Sequence, residues 1–149
     1  VYVAFLLAAA PIGLTAGLLR PTMPHLPVQG ALATGLLLLI QPALVEEIVF
    51  RGLLLPRDAR TLPLRRLAVV VAAALAVYVA SHPLNAWLFR PDVLGLFTSP
   101  VYLVLAALLG LACTITYFIS RSIWPPVAIH WLTVVTWIWF LGGQRSLHL

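Results

Sequence analysis

Apolar positions in this chain follow neither strict alternation nor an amphipathic helical spacing. They come in five nearly unbroken runs, at 1–19, 30–55, 67–89, 100–119 and 123–143. A helix that crosses the hydrocarbon core of a bilayer needs about 20 mostly apolar residues, and each run comes close. Strands of a membrane barrel would alternate over about ten residues, whereas these runs are continuous and rich in Leu and Ala. The pattern predicts an all-α fold, a polytopic transmembrane bundle of about five spanning helices, forming a single domain over 1–149. The first run can also be read as a signal peptide. It lacks a basic leading segment, however, and Gly13-x-x-x-Gly17 suits the close packing of a retained helix.

Most charges collect in the short connectors. The segment 56–66 carries Arg57, Arg60, Arg65 and Arg66 against Asp58 alone, which by the positive-inside bias predicts a cytoplasmic position. Alternation places Arg121 on the same side and Arg20, Arg90 and Arg145 on the other. Composition agrees with a membrane protein: 62% of residues are hydrophobic, 9% are charged, and the mean hydropathy is +1.06. A soluble domain has roughly 45–50% apolar and 25% charged residues. The net charge of +5 comes without any Lys, from Arg scattered beside apolar runs, so it points to topology and headgroup contacts and not to nucleic acid. Cys113 stands alone in an apolar run and reads as a small core residue.

Five ionisable residues interrupt the apolar runs: Glu46, Glu47, Arg51, His82 and His130. Such groups are costly in a membrane and mark function. Glu47 and Arg51, four apart, can neutralise each other across one helical turn. Glu46 is rotated by about 100° from Glu47, so the same Arg is poorly placed for both. A bundle that buries a spare carboxylate and two imidazoles is expected to bring them together, and a carboxylate facing imidazole is a general base for water. Counted from the arginine-rich side, Glu46 and His130 fall at similar depths, about 14 and 10 Å, with His82 deeper at about 22 Å. Pro42, Pro83 and Pro126 stand near these residues, and an internal Pro can open a kink where water enters.

Three stretches resemble the motifs of one family. Glu46-Glu47-Ile-Val-Phe-Arg51 is similar to EExxxR, Tyr78-Val-Ala-Ser-His82 to FxxxH with Tyr in place of Phe, and His130 follows Trp124-Pro-Pro as in HxxxN or HxxxD. Val134 stands where that last motif has Asn or Asp. In order, interval and membrane setting the chain resembles the CPBP intramembrane proteases, which include the type II CAAX prenyl endopeptidases, over a core of about 30–143. The resemblance implies an endopeptidase of a bacterial plasma membrane, its site open to the cytoplasmic side, acting on a membrane-embedded or lipidated polypeptide. It implies that Glu46 activates water and His82 orients it, that Glu47 and Arg51 fix the acidic pair, and that His130 stabilises the oxyanion. Val134 offers no donor for the assisting role, and Thr133 is its neighbour.

Two chemistries fit these residues. In one, Glu46 and His82 activate water without a cofactor. In the other, Glu46, His82 and His130 hold Zn²⁺, which would lower the pKa of bound water to about 7. The metal-free form is preferred because no HExxH pair is present. The competing class is a catalytically degenerate module that binds a peptide or partner protein in the membrane. A transporter is more remote, since no repeat is visible.

Overall fold

A computed structural model describes residues 1–23 and 28–147. His25 and His148, to which the sequence assigns no role, lie outside them. All five apolar runs form helices: α1 (Tyr2–Thr15), α2 (Gln29–Leu53), α3 (Leu64–Phe89), α4 (Pro100–Ser120) and α5 (Trp124–Phe140). No strand occurs among the described residues, so the chain is a helical membrane bundle.

Three helices, α2, α3 and α4, are long and apolar enough to cross a membrane. At 1.5 Å per residue the 14 residues of α1 and the 17 of α5 reach about 21 and 26 Å, short of the ~30 Å core. Local chemistry stops both. Gly17 adopts a left-handed φ of 72°, and the backbone N–H groups of Leu18 and Leu19 turn back to donate to the Gly13 carbonyl at 2.9 Å. The two glycines expected to share a helix face therefore do different things. Gly13 gives room to the returning Leu19, whose side chain lies against the place where a Cβ would stand, and Gly17 makes the turn. At the other end of the bundle's chain, α5 stops before Gly142, whose φ is 85°.

The helices pack through small residues and leave their large ones outside. Ala74 on α3, Ala106, Gly110, Ala112 and Cys113 on α4, and Ala9 on α1 are buried. Leu32, Leu36, Leu37, Val69, Val77 and Ile119 are exposed. Lipid is as apolar as Leu, so burying Leu gains little there, and close approach of backbones is what holds spanning helices together. Gly110 shows the requirement most clearly. A Cβ at this position would lie 2.8 Å from both Leu75 Cδ1 and Tyr78 Cδ1 of α3. Gly110→Val is expected to cost about 1–3 kcal/mol of stability by overpacking, read as a lowered thermal unfolding midpoint in detergent.

Contacts between connectors define two ends of the bundle. Arg121 pairs with Asp58 at 3.3 Å, which joins the α4–α5 turn to the arginine-rich connector. At the opposite end, Arg20 N and Thr22 N donate to Leu141 O and Phe140 O, and Arg90 Nη2 donates to Leu147 O at 2.9 Å.

Candidate active site

The site begins with an interruption in α2. Gln41 has φ −129° and ψ 115°, values no helix tolerates, and wide π-type turns run over Leu39–Leu44 and Ile48–Leu53 on either side of Glu46 and Glu47. Non-helical backbone at membrane depth persists where it is buried or lines a wet cavity, and π segments gather at functional positions. Of the three prolines singled out in the sequence, Pro42 accompanies this break. Pro83 lies inside an unbroken α3, and Pro126 belongs to the first turn of α5. Trp131 Nε1 donates to the Gly35 carbonyl at 2.8 Å, tying α5 to the half of α2 before the break.

Behind the site lies a buried ion pair. Arg51 Nη1 donates to Glu47 Oε1 at 3.1 Å, with side chains 2% and 0% exposed. Its Nη2 donates to the carbonyl oxygen of Gly110 at 2.7 Å, and its guanidinium stands 4.6 Å from the centroid of the Tyr78 ring. The absent side chain of Gly110 is what lets α4 offer that carbonyl. Arg51 reaches Glu47 alone. The second partner of Glu47 is His130, whose Nδ1 lies 2.9 Å from the same Oε1; a proton on Nδ1 makes this a donated hydrogen bond and leaves Nε2 facing outward.

In front stand Glu46, His82 and His130, which share one cavity of about 620 Å³. His130 Nε2 lies 3.9 Å from Glu46 Oε2, too far for a direct hydrogen bond and a span that invites a bridging water. Glu46 Oε2 is itself buried and has no hydrogen-bond partner among the described residues. His82 Nδ1 lies 2.9 Å from its own helix carbonyl at Tyr78, which fixes the ring and frees Nε2. The ring sits against Tyr78, Phe97 and Tyr102, with centroids 4.9, 6.1 and 5.6 Å away. The structure thus divides the five ionisable residues: three on the cavity wall, and Glu47 with Arg51 behind them. A depth count along α3 sets His82 apart from the other two, and starting it at Leu64, where α3 begins, only lengthens it; the cavity nevertheless joins all three.

Other expectations change. Thr133 lines the cavity beside Val134, but its hydroxyl donates to Ile129 O at 2.8 Å within its own helix. Among the described residues no three His, Cys, Asp or Glu side chains are grouped so as to hold a metal ion. The sequence reading also set the arginine-rich connector and the open side of the site on the same face. The cavity instead runs the other way, past Asn85 and Phe89 to the exposed Arg90, and past Leu18, Leu141 and Leu147. It reaches the end of the bundle opposite Pro56 and Arg66, because His82 lies in the second half of α3 and Glu46 in the first part of α2 after the break.

Sequence reasoning missed the cavity's remaining polar wall. Asn85, Tyr102, Thr136 and Trp137 line it, and the Trp137 Nε1 is buried without a partner among the described residues. Asn85, three residues after His82 on one helix face, was legible from spacing alone. Gly110 was not, since nothing in an apolar run marks which glycine will receive an arginine.

A family model for the type II CAAX prenyl endopeptidase Rce1-like proteins matches residues 28–136. No curated protein and no solved structure matches the chain. The matched stretch runs from the start of α2 through most of α5 and holds all five ionisable residues of the site. The chain belongs to the type II CAAX prenyl endopeptidase Rce1-like family.

Proposed function

We propose that this protein is an intramembrane endopeptidase that hydrolyses a peptide bond of a membrane-associated, prenylated CAAX-type polypeptide with water activated by Glu46. The observation that carries the reading is the buried Glu46 Oε2, unpartnered and 3.9 Å from His130 Nε2 on a cavity wall. A carboxylate oxygen without a donor, set in apolar surroundings, is a strong acceptor for the proton of a water. His82 Nε2 faces the same cavity and orients that water. Glu47 and Arg51 do not touch the water in this reading; they hold His130 by Nδ1. The cavity is mostly apolar, lined by Phe5, Leu105, Ala106 and Leu109 among others, and suits an extended lipidated tail more than a soluble peptide.

The bond is broken in two steps. Glu46 accepts a proton from water while the water oxygen bonds to the carbonyl carbon, and the carbonyl π pair moves onto oxygen. The intermediate then collapses, the C–N bond breaks, and Glu46 returns the proton to the leaving amine. No cofactor is needed for this balance, and no step is assigned to a metal.

The test is cleavage in liposomes of a prenylated CAAX peptide, its unprenylated counterpart and an unrelated transmembrane peptide, with and without a strong chelator. The expected result is cleavage of the prenylated peptide, unchanged by chelation. Loss with chelator and recovery with Zn²⁺ would overturn the metal-free chemistry. A folded chain that cleaves none of the three would leave a binding module, the reading that the hydrocarbon of Val134 in the cavity favours.

A further inference from the structure

Attack by water turns the scissile carbonyl oxygen into an oxyanion, and a site within the membrane must supply donors for it from fixed side chains. The wall offers few. The Nδ1 atoms of His130 and His82 face Glu47 and the Tyr78 carbonyl. The Thr133 hydroxyl is engaged by Ile129 O, and Val134 has no donor. Trp137 Nε1 is unpartnered, but it starts seven residues beyond His130, about 10 Å further along α5.

Tyr78 remains. Its ring lies edge-on to both imidazoles, 4.9 Å from His82 and 6.4 Å from His130 between centroids. Phe50 and the Arg51 guanidinium hold the same ring at 5.1 and 4.6 Å, and its edge packs over Gly110. The side chain is 1% exposed, yet it lines the cavity. No hydrogen bond to its hydroxyl forms among the described residues. Phe would make every one of these ring contacts, so packing does not account for the hydroxyl. A phenol so enclosed finds a partner, and the cavity that Tyr78 lines has space for one.

We propose that Tyr78 Oη donates a hydrogen bond to the oxyanion of the tetrahedral intermediate, the role for which Val134 carries no group; this rests on the protease reading above. Tyr78 keeps its proton throughout. The proton that moves is the one Glu46 takes from water and returns to the amine. His130 Nε2 contributes to the same oxygen when it is protonated.

The experiment compares the full chain with Tyr78→Phe in liposomes on the prenylated peptide. The expected result is a kcat lower by about 10²–10³, the usual loss for one oxyanion donor, with KM unchanged, as for an interaction made only in the transition state. Adding Val134→Asn to Tyr78→Phe is expected to restore part of kcat, since the two groups would serve one oxygen. The thermal midpoint of each variant is read alongside. Tyr78→Phe cleaving at the parent rate would overturn the assignment, as would a loss of kcat that follows a lowered midpoint and is not relieved by Val134→Asn. A parent chain that cleaves nothing would instead remove the protease reading, and this assignment with it.

Discussion

A Glu46→Gln chain is expected to fold as the parent does and to lose about 10²–10⁴ of its cleavage rate, the range general-base catalysis supplies. Gln keeps the shape and volume of Glu but cannot take a proton from water. The substitution should not disturb the bundle, because Glu46 Oε2 accepts no hydrogen bond among the described residues and the imidazole nitrogen His130 Nε2 is 3.9 Å away. Removing a carboxylate that nothing in the fold leans on is a change in chemistry alone. Single-turnover cleavage of the prenylated peptide, with the thermal midpoint recorded on the same sample, checks both halves. A variant that cleaves at the parent rate would exclude Glu46 as the base.

Arg51→Met is expected to fail in the opposite way. It should destabilise the protein by about 3–5 kcal/mol, since it leaves the Glu47 carboxylate buried without its cation. Glu47 is 0% exposed and can reach no water to replace the lost partner, and the Gly110 carbonyl loses its donor at 2.7 Å. Thr114 Oγ1, which also donates to that carbonyl at 2.8 Å, would remain. Adding Glu47→Gln to Arg51→Met removes the stranded charge and should recover much of the loss, because a buried pair is far easier to replace whole than to break. Midpoints in detergent for the two single variants and the double variant decide the matter; additive losses would mean that the pair is not coupled. The contrast with Glu46 is informative. Adjacent residues of the same type are expected to differ because Glu47 is held by Arg51 on its own helix and His130 on α5, whereas Glu46 Oε2 makes no hydrogen bond among the described residues.

Much of this arrangement was legible before any coordinates. Five ionisable residues in apolar runs have few ways to be buried, and Glu47 with Arg51 at i and i+4 is nearly a statement of geometry. What the sequence could not carry was the partner across helices. His130 is joined to Glu47, and not foremost to Glu46, because the wide turns after the break in α2 set the direction of both carboxylates, and periodicity assumes a regular helix. The lengths of α1 and α5 were misread for a related reason. A run of apolar residues records what contacts lipid or core, but Leu18, Leu19 and Leu141 do so from turns that Gly17 and Gly142 permit. Nor does an amino-acid pattern say at which end a cavity opens, since that depends on the height of each helix relative to the others.

That last point bears on how the protein must be handled. With the cavity reaching the surface beside Arg90 and the arginine-rich connector at the other end, an impermeant reagent confined to one face of a sealed vesicle can touch one or the other, never both. Arg57 and Arg60 are exposed and offer trypsin a cut between α2 and α3. Whether that cut occurs from outside or inside a vesicle therefore states, by exclusion, which compartment delivers the substrate. A preparation of mixed insertion would show half its molecules as inactive toward an added peptide, with nothing wrong with any of them.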